Sequence, residues 1–243
     1  YPILVGYLGY PMIKYMENIN LKNNDELNVP EAMMIRPKLV AVFDNIKDTI
    51  SVMAAVYPKK EISPETAYKD ACKKIDNVIK KMDEEVSRSS NKKKKIKNNI
   101  DFQSNYSKKE YFEIVNKAKS YIKKGDIFQV VLSQRFEALL KKNPIEIYKK
   151  LRISNPSPFM FFFNFDDFQI VGSSPEILVR LRKDKITIRP IAGTRPRGLT
   201  SKQDAFYKKQ LINDKKELSE HLMLLDLGRN DVGKVSKVNT VKV

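Results

Sequence analysis

The chain has 243 residues, of which 42% are hydrophobic and 9% aromatic, and it carries a formal net charge of +17. This apolar content excludes a disordered chain, and the single cysteine and single histidine exclude a disulfide framework and most metal clusters built from those residues. No apolar run approaches the roughly 20 residues that a membrane-spanning helix needs. Because no secretory signal is visible, we expect a cytoplasmic protein without membrane contacts.

The positive charge leaves two interpretations open. Lysines gathered on one face would bind a polyanion such as nucleic acid, and the densest block is the lysine run at 92–95. The other lysines are scattered over the polar faces of predicted helices, as on an ordinary solvated surface. We therefore expect no nucleic-acid partner and keep a basic polyanion-binding protein as the non-enzyme alternative.

The first part of the chain predicts strands followed by a helix. Residues 1–60 contain strand-like segments at 3–10, 34–42 and 50–55, and we interpret them as the remnant of an N-terminal region. Ser63 and Pro64 then mark the start of a helix with an apolar stripe. Residues 88–106 have the composition of an exposed linker, so 61–106 is predicted to be a helix plus a lysine-rich linker.

The remainder, 107–243, predicts the N-terminal part of a catalytic domain. Ser107 and Glu110 form a capping box, Gly125 ends that helix, and another short helix follows Pro144. Strands are expected at 127–136, 159–165, 168–172, 177–181 and 186–191, with turns at 166–167 and 183–184. Antiparallel strands flanked by helices indicate an α+β fold.

The predicted helix at 214–228 carries two acids whose spacing invites a metal interpretation. Glu217 and Glu220 are three residues apart, so they share a face. A carboxylate in line with apolar residues is costly to bury unless it is paired or binds a metal. Two such acids without a basic partner on their face suggest a hard cation such as Mg²⁺. The alternative is a helix end with both acids facing water.

Two loops supply further candidates. Glu176 lies in a Gly-Ser-Ser-Pro-Glu turn between strands, where it would act as a general acid if a cleft shields it. Gly193 and Thr194 end the last strand, where backbone N–H groups and a hydroxyl suit a carboxylate or small polar substrate. Arg195 and Arg197 add positive charge to the same loop, and an ordinary basic loop remains the alternative.

Taken together, five motifs resemble the chorismate-utilising enzymes, and among them the large synthase subunit of anthranilate synthase. They are GDIFQVVLSQRF, NPSPFMFFF, GSSPEILVR, PIAGTRPRG and KELSEHLMLLDLGRND, in that family's order. The resemblance implies an α/β sandwich of mostly antiparallel sheets with chorismate and Mg²⁺ in a cleft. It also implies a lyase of tryptophan biosynthesis that converts chorismate and ammonia to anthranilate and pyruvate.

Residue roles follow from the same resemblance. Glu220 would be a Mg²⁺ ligand, with Glu217 near the ion or bound to it through water. Glu176 would be the general acid that assists departure of the ring hydroxyl. Gly193 and Thr194 would line the substrate site, with Thr194 also counted among the catalytic residues.

Two positions separate relatives by their chemistry. Isochorismate and salicylate synthases place a lysine where Gln129 stands, in order to activate water, and an amide cannot act as that base. Aminodeoxychorismate synthase typically places a nucleophilic lysine where Ala192 stands. Both positions favour anthranilate synthase, and aminodeoxychorismate synthase component I remains the alternative enzyme.

The resemblance also implies partners and a missing remainder. A glutamine amidotransferase subunit would supply the ammonia. Tryptophan would be the feedback inhibitor of the full-length protein, contacting the segment Asn155, Pro156, Ser157, Pro158, Phe159 and Met160, in which Phe159 replaces the usual tyrosine. Since the family's later motifs do not occur before Val243, we expect an incomplete fold, a fragment lacking both termini that is inactive alone.

Overall fold

The structure is a computed structural model that describes residues 3–21, 26–57, 59–84 and 100–243. The lysine run at 92–95 and most of the linker expected at 88–106 lie outside these residues. The chain divides into two compact units, Tyr1–Phe102 and Gln103–Val243. All candidate site residues belong to the second unit.

The described part of the first unit contains two antiparallel strand pairs and one long helix. Strand β1 (Val5–Leu8) pairs antiparallel with β2 (Ala32–Ile35), and β3 (Leu39–Asp44) pairs antiparallel with β4 (Thr49–Ala54). A short 3₁₀ helix, Tyr10–Tyr15, follows β1. Helix α1 (Pro64–Asp83) contacts β4 and begins at the predicted cap, where the Ser63 side chain accepts a hydrogen bond from the Thr66 N–H.

Four helices lie in the second unit. They are α2 (Lys108–Lys124), α3 (Pro144–Ser154), α4 (Ser201–Asn213) and α5 (Lys215–Val235). Both halves of the predicted capping box of α2 form, and Gly125 ends that helix at φ 80°, a conformation that an L-residue adopts at a cost. Asp214 is both the C-cap of α4 and the N-cap of α5, so no spare residue separates the two helices.

Strands of the second unit pair only with their antiparallel neighbours. The pairs are β5 (Gln103–Ser104) with β6 (Phe136–Glu137), β7 (Phe159–Asn164) with β8 (Gln169–Ser174), and β9 (Arg180–Arg182) with β10 (Lys185–Thr187). Helix α3 packs on the β7–β8 hairpin. Mixed helices and antiparallel strands confirm the predicted α+β class.

The predicted turns form, and their backbone shows why. Lys183 and Asp184 have φ values of 46° and 62°, as a tight two-residue hairpin loop requires. Asp166 has φ 63° in the loop that joins β7 to β8. Aspartate tolerates this left-handed region better than most residues because its short side chain bonds to nearby backbone.

Four expectations about the elements were wrong. The segment expected as one strand at 34–42 is the end of β2 and most of β3, separated by residues 36–38, which are not strand. The strand expected at 127–136 is regular only at β6, and residues 127–135 form no strand pairing. The strands expected at 177–181 and 186–191 shrink to β9 and β10, three residues each. Helix α4 was not anticipated, although its Thr200 N-cap, which accepts a hydrogen bond from the Gln203 N–H, is visible in the sequence.

Few side chains of the described residues are fully shielded. Ala71 in α1 and Phe165 after β7 are the buried apolar residues, each 8% exposed. Phe165 packs against the rings of Phe163 and Phe168, with centroids 5.8 and 5.1 Å away. Among the described residues, no helix combines the length and the apolar character needed to cross a membrane.

Candidate active site

The first turn of α5 is built around the Asp214 carboxylate. Its Oδ1 accepts hydrogen bonds from the backbone N–H groups of Lys216 and Glu217, at 3.0 and 3.3 Å. The pKa of Asp214 lies below its ordinary value of 3.8, chiefly because the Glu217 N–H bonds to the carboxylate; partial desolvation opposes this shift, while the Lys216 N–H and Arg195 add to it. The acid therefore stays charged while it caps the helix.

Arg195 connects that turn to the loop that precedes α4. Its Nη2 donates to Oδ2 of Asp214 at 2.7 Å, and its Nη1 donates to Oε1 of Glu217 at 3.1 Å. The same Nη1 also donates to the Thr194 carbonyl oxygen at 2.8 Å. Only 22% of the Arg195 side chain is exposed, so these charge-assisted bonds form in partly desolvated surroundings.

Gly193 makes the close approach of this loop to α5 possible. Its φ is +73°, and a Cβ placed on it would lie 2.6 Å from Oε2 of Glu217 and 3.0 Å from Cδ1 of Leu211. Both the backbone conformation and the space therefore favour glycine. The predicted substrate residue Gly193 thus lies directly beside the predicted metal residue Glu217.

The expectation that Glu217 and Glu220 lack a basic partner was wrong. Glu217 does have a basic partner, Arg195, so its charge does not by itself call for a cation. Arg195 and Arg197 are likewise not free charges in the loop. The Arg197 side chain is 89% exposed and donates two hydrogen bonds of 2.7 Å to the Asp204 carboxylate. These bonds raise the pKa of Arg197 and lower the pKa of Asp204.

Glu220 lies one helical turn after Glu217 and is half-buried. Its Oε1 accepts a hydrogen bond from Nε2 of Gln129 at 3.1 Å, across 91 residues of sequence. Gln129 comes from the extended segment between α2 and β6. The structure therefore brings together two residues that the sequence analysis singled out for separate reasons.

The two carboxylates of Glu217 and Glu220 could supply some, but not all, of the ligands that Mg²⁺ needs. Mg²⁺ keeps several waters and is bound by one or two carboxylates together with groups of the substrate. Oε2 of Glu220 makes no hydrogen bond to a described residue, and Glu217 lies one turn away. Across the described residues, however, no group of three or more potential ligands is gathered for a metal ion.

Glu176 lies elsewhere, in the turn that follows β8. Its backbone N–H donates to Oγ of Ser174 at 3.3 Å, and the Ser174 hydroxyl donates to the Glu176 carbonyl oxygen at 3.0 Å. The side chain is exposed and forms no hydrogen bond to a described residue. Its carboxyl group is therefore free to meet a ligand.

Glu176 lines a cavity of about 1030 Å³. The wall from α5 is a stripe at helical spacing that includes His221, Leu225 and Val232. Glu176 is the one acid among the lining residues, whereas six are basic: Arg180, Arg182, Lys185, Arg189, Arg229 and Lys242. Arg229 pairs with Asp226, but the other five form no ion pair within the described part of the chain, so the cavity favours an anion.

The segment expected to contact tryptophan joins α3 to β7. Asn155 is the C-cap of α3, where its N–H donates to the Leu151 carbonyl at 2.8 Å, and its own carbonyl accepts from Oγ of Ser173 at 2.8 Å. Pro158 and Phe159 line the same cavity as Glu176. This segment is therefore held against β8 rather than projecting as a free turn.

The expected site residues thus fall into two groups. Gln129, Gly193, Glu217 and Glu220 are linked by contacts around α5, with Thr194 held through its carbonyl. Glu176 and the 158–159 pair line the cavity. Helix α5 joins the groups, because Glu220 and His221 are consecutive residues that point about 100° apart.

The local sequence does not reveal the partners of Arg195. It shows a positive charge at this position, but no nearby pattern indicates that the guanidinium bridges two acids 19 and 22 residues later. A capping aspartate followed by a glutamate at the third helical position is a visible signal. That signal marks the start of α5, but acids in a first helical turn are already stabilised by backbone N–H groups and the helix dipole, so it does not by itself indicate a basic partner.

Comparison with known proteins gives a consistent result. A family model described as chorismate binding enzyme matches residues 1–243. The chain is 46% identical over 239 residues to anthranilate synthase component 1 of Cereibacter sphaeroides, covering 98% of this chain and 48% of the relative. It is 42% identical over 240 residues to the Aquifex aeolicus protein of the same name, covering 99% and 48%.

A solved structure confirms the predicted fold. The crystal structure of anthranilate synthase component I from Streptococcus pneumoniae matches with a TM-score of 0.81 at 32% identity, covering 96% of this chain and 50% of that one. The chain spans about half the length of the curated relatives it matches. Because the family model matches every residue of the sequence given, the chain belongs to the chorismate binding enzymes.

Proposed function

We propose that the protein carrying this chain converts chorismate and ammonia into anthranilate and pyruvate. The family and the anthranilate synthase relatives support this proposal. The observation that carries it is the hydrogen bond from Gln129 to Glu220, at 3.1 Å. It puts residue 129 at the carboxylate expected to organise the substrate.

The identity of residue 129 then bears on the nucleophile. Water must lose a proton to attack the ring, so a base such as lysine is needed beside it. An amide accepts no proton near neutral pH, and ammonia already carries a reactive lone pair. Gln129 therefore favours ammonia, and its N–H₂ group orients Glu220 at the same time.

The proposed reaction has two steps, and Glu176 acts in the first. Ammonia forms a C–N bond to the ring, the double bonds shift, and the ring hydroxyl leaves as water with a proton from Glu176. In the second step the ring carbon that bears nitrogen loses its proton and the ring C–O bond to the enolpyruvyl group breaks, which gives the aromatic product. The released enolpyruvate takes up a proton at its methylene carbon and becomes pyruvate. The basic residues of the cavity around Glu176 suit a substrate with two carboxylates.

Glu220, with Glu217 one turn away, is the position that would hold Mg²⁺. A bound Mg²⁺ would neutralise a carboxylate of the substrate. Gly193 and Thr194 would line the substrate site, since Gly193 lies against Glu217. A glutamine amidotransferase subunit would supply ammonia, and tryptophan bound at residues 155–160 would inhibit.

The test is a product assay on the protein expressed from its own gene, supplied with chorismate, ammonium and Mg²⁺. We expect fluorescent anthranilate and equimolar pyruvate. Salicylate, isochorismate or a 4-amino-4-deoxy product in its place would reject the proposal. Residues 1–243 alone are assayed in parallel, and anthranilate from them would refute the expectation that they are inactive.

A variant pair tests the role of residue 129. Q129K removes the amide that bonds to Glu220, and we expect at least about a 100-fold loss of anthranilate formation, since a misplaced group costs that much. Q134K adds the same charge in the same segment, where Oγ of Ser104 is the one hydrogen-bond partner of the Gln134 side chain among the described residues, and should stay within about threefold of the parent. Equal losses in both variants would contradict a specific role for Gln129.

A further inference from the structure

The contacts of Arg195 suggest a role that the resemblance to the family does not assign to it and that its charge alone does not explain. One guanidinium contacts three groups on two elements: the Asp214 and Glu217 carboxylates on α5 and the Thr194 carbonyl in its own loop. Its exposed fraction is 22%, against 23% for Glu217 and 33% for Asp214. Ion pairs of this kind are screened less than exposed ones and hold a fixed geometry.

Geometry makes arginine the residue that this position needs. The planar guanidinium presents donors in a fork, so Nη1 and Nη2 reach different acids at the same time. A lysine is a single point charge on a flexible stem and would favour one acid over the other. Loss of either contact would leave a partly buried carboxylate without its cation.

The contacts of Arg195 reach both the loop expected to line the substrate and the turn of α5 expected to bind the metal. Arg195 donates to the Thr194 carbonyl, and Oε2 of Glu217 occupies the space that a side chain at Gly193 would fill. Arg195 also donates to Oε1 of Glu217, which lies one helical turn before Glu220. We propose that Arg195 is a positioning residue, which sets the substrate-lining loop against the metal-binding turn of α5 by bridging Asp214 and Glu217.

Arg197 is a matched comparison from the same loop. It also forms a two-pronged pair with an aspartate, but it is 89% exposed and its partner, Asp204, lies on α4. R195Q and R197Q remove the same charge two residues apart. The proposal requires that only the first disturbs residues 190–195 and the start of α5.

The first measurement does not depend on catalysis. Hydrogen exchange of peptides covering 190–195 and 214–218 should accelerate at least tenfold in R195Q and change less than threefold in R197Q. Unchanged exchange in R195Q, or equal acceleration in both variants, would overturn the proposal.

The second measurement rests on the proposed function and is made on the protein expressed from its own gene. R195Q should raise the KM for chorismate about tenfold while the KM for ammonia stays within twofold, because only the chorismate side of the site loses its alignment. If R195Q does not fold, R195K keeps the charge without the fork and should show an intermediate rise. Full activity of R195K would overturn the proposal, whereas absence of anthranilate from the parent protein would reject the proposed function and leave the exchange test intact.

Discussion

The charged side chains at the start of α5 are paired with one another, whereas those at the turn after β8 and in its cavity are mostly unpaired among the described residues. At α5, Arg195, Asp214 and Glu217 satisfy one another within a partly buried cluster. At the turn, Glu176 has no side-chain hydrogen bond to a described residue, and five basic residues of its cavity are unpaired in the part of the chain that the structure describes. We therefore expect the paired charges of α5 to fix geometry and the unpaired charges of the cavity to attract a ligand.

This contrast separates two kinds of residue in the proposed site. A residue of the matched cluster should affect stability and alignment when it is changed. A residue of the unmatched cavity should affect chemistry or binding with little change in stability, since it stabilises few contacts in the free protein. Three substitutions can break or sharpen that division.

The largest effect is expected from E176Q. If Glu176 is the general acid proposed above, its loss should lower kcat about 10²- to 10⁴-fold, with the KM for chorismate within about threefold. The melting temperature should not change by more than about 2 °C, because the Glu176 side chain bonds to no described residue. Anthranilate fluorescence and a thermal scan measure the two quantities.

The control for E176Q is E113Q, at an exposed position of α2. It removes the same charge without touching the cavity, and its kcat should equal that of the parent. A kcat of E176Q within tenfold of the parent would mean that another group delivers the proton to the leaving hydroxyl.

A medium effect is expected from G193A. The substitution places an L-residue at φ +73° and a Cβ 2.6 Å from Oε2 of Glu217. We expect the free energy of unfolding to fall by about 2–3 kcal/mol, from backbone strain and displacement of Glu217 together. Urea unfolding followed by circular dichroism measures it.

G125A separates the two contributions. Gly125 has φ +80°, but nothing lies within 4 Å of an added Cβ, so this variant should lose only about 1 kcal/mol. If both variants lose the same amount, backbone strain explains G193A fully and the contact with Glu217 contributes nothing.

The smallest effect concerns the pH dependence of D214N. The folded-state pKa of Asp214 is lowered from 3.8, so its charge contributes stability that is fully present above that value and is lost as the pH falls through the folded-state pKa. Asparagine still caps the helix but cannot pair with Arg195. The melting temperature of D214N should therefore be lower than that of the parent at pH 6, and the difference should shrink below about pH 3.8.

D126N is the control, because the Asp126 carboxylate bonds to no described residue. Its melting temperature should follow the parent at every pH. A difference for D214N that persists unchanged at pH 3 would show that the cap, rather than the charge, was altered.

Elements with a local signal were predicted well. The Ser107–Glu110 box, the Gly125 terminus and the 183–184 turn each need only residues within one turn of each other. Helix α4 was missed because its apolar periodicity is weak, although Thr200 caps it. The strand expected at 127–136 has strand-like residues, but most of them find no partner to pair with in the described residues.

The sequence predicted which acids share a helix in the candidate site, but not which residues bond to them. Carboxylate spacing on α5 placed Glu217 and Glu220 on one helix, as the structure confirms. The contacts that decide their roles join Glu217 to Arg195 and Glu220 to Gln129, which lie 22 and 91 residues away. Helical periodicity contains no information about such distant partners, and so it could not show that one acid is already neutralised.

The shared cap at Asp214 gives the junction between α4 and α5 a fixed length. Its N–H donates to the Leu211 carbonyl at 3.3 Å while its carboxylate begins the next helix and receives Arg195. One inserted residue would assign these tasks to two different positions and rotate the acids of α5 out of reach of the guanidinium. We therefore expect an insertion at this corner to be tolerated less well than one in the hairpin loop at 183–184, whose residues make no comparable pair of contacts.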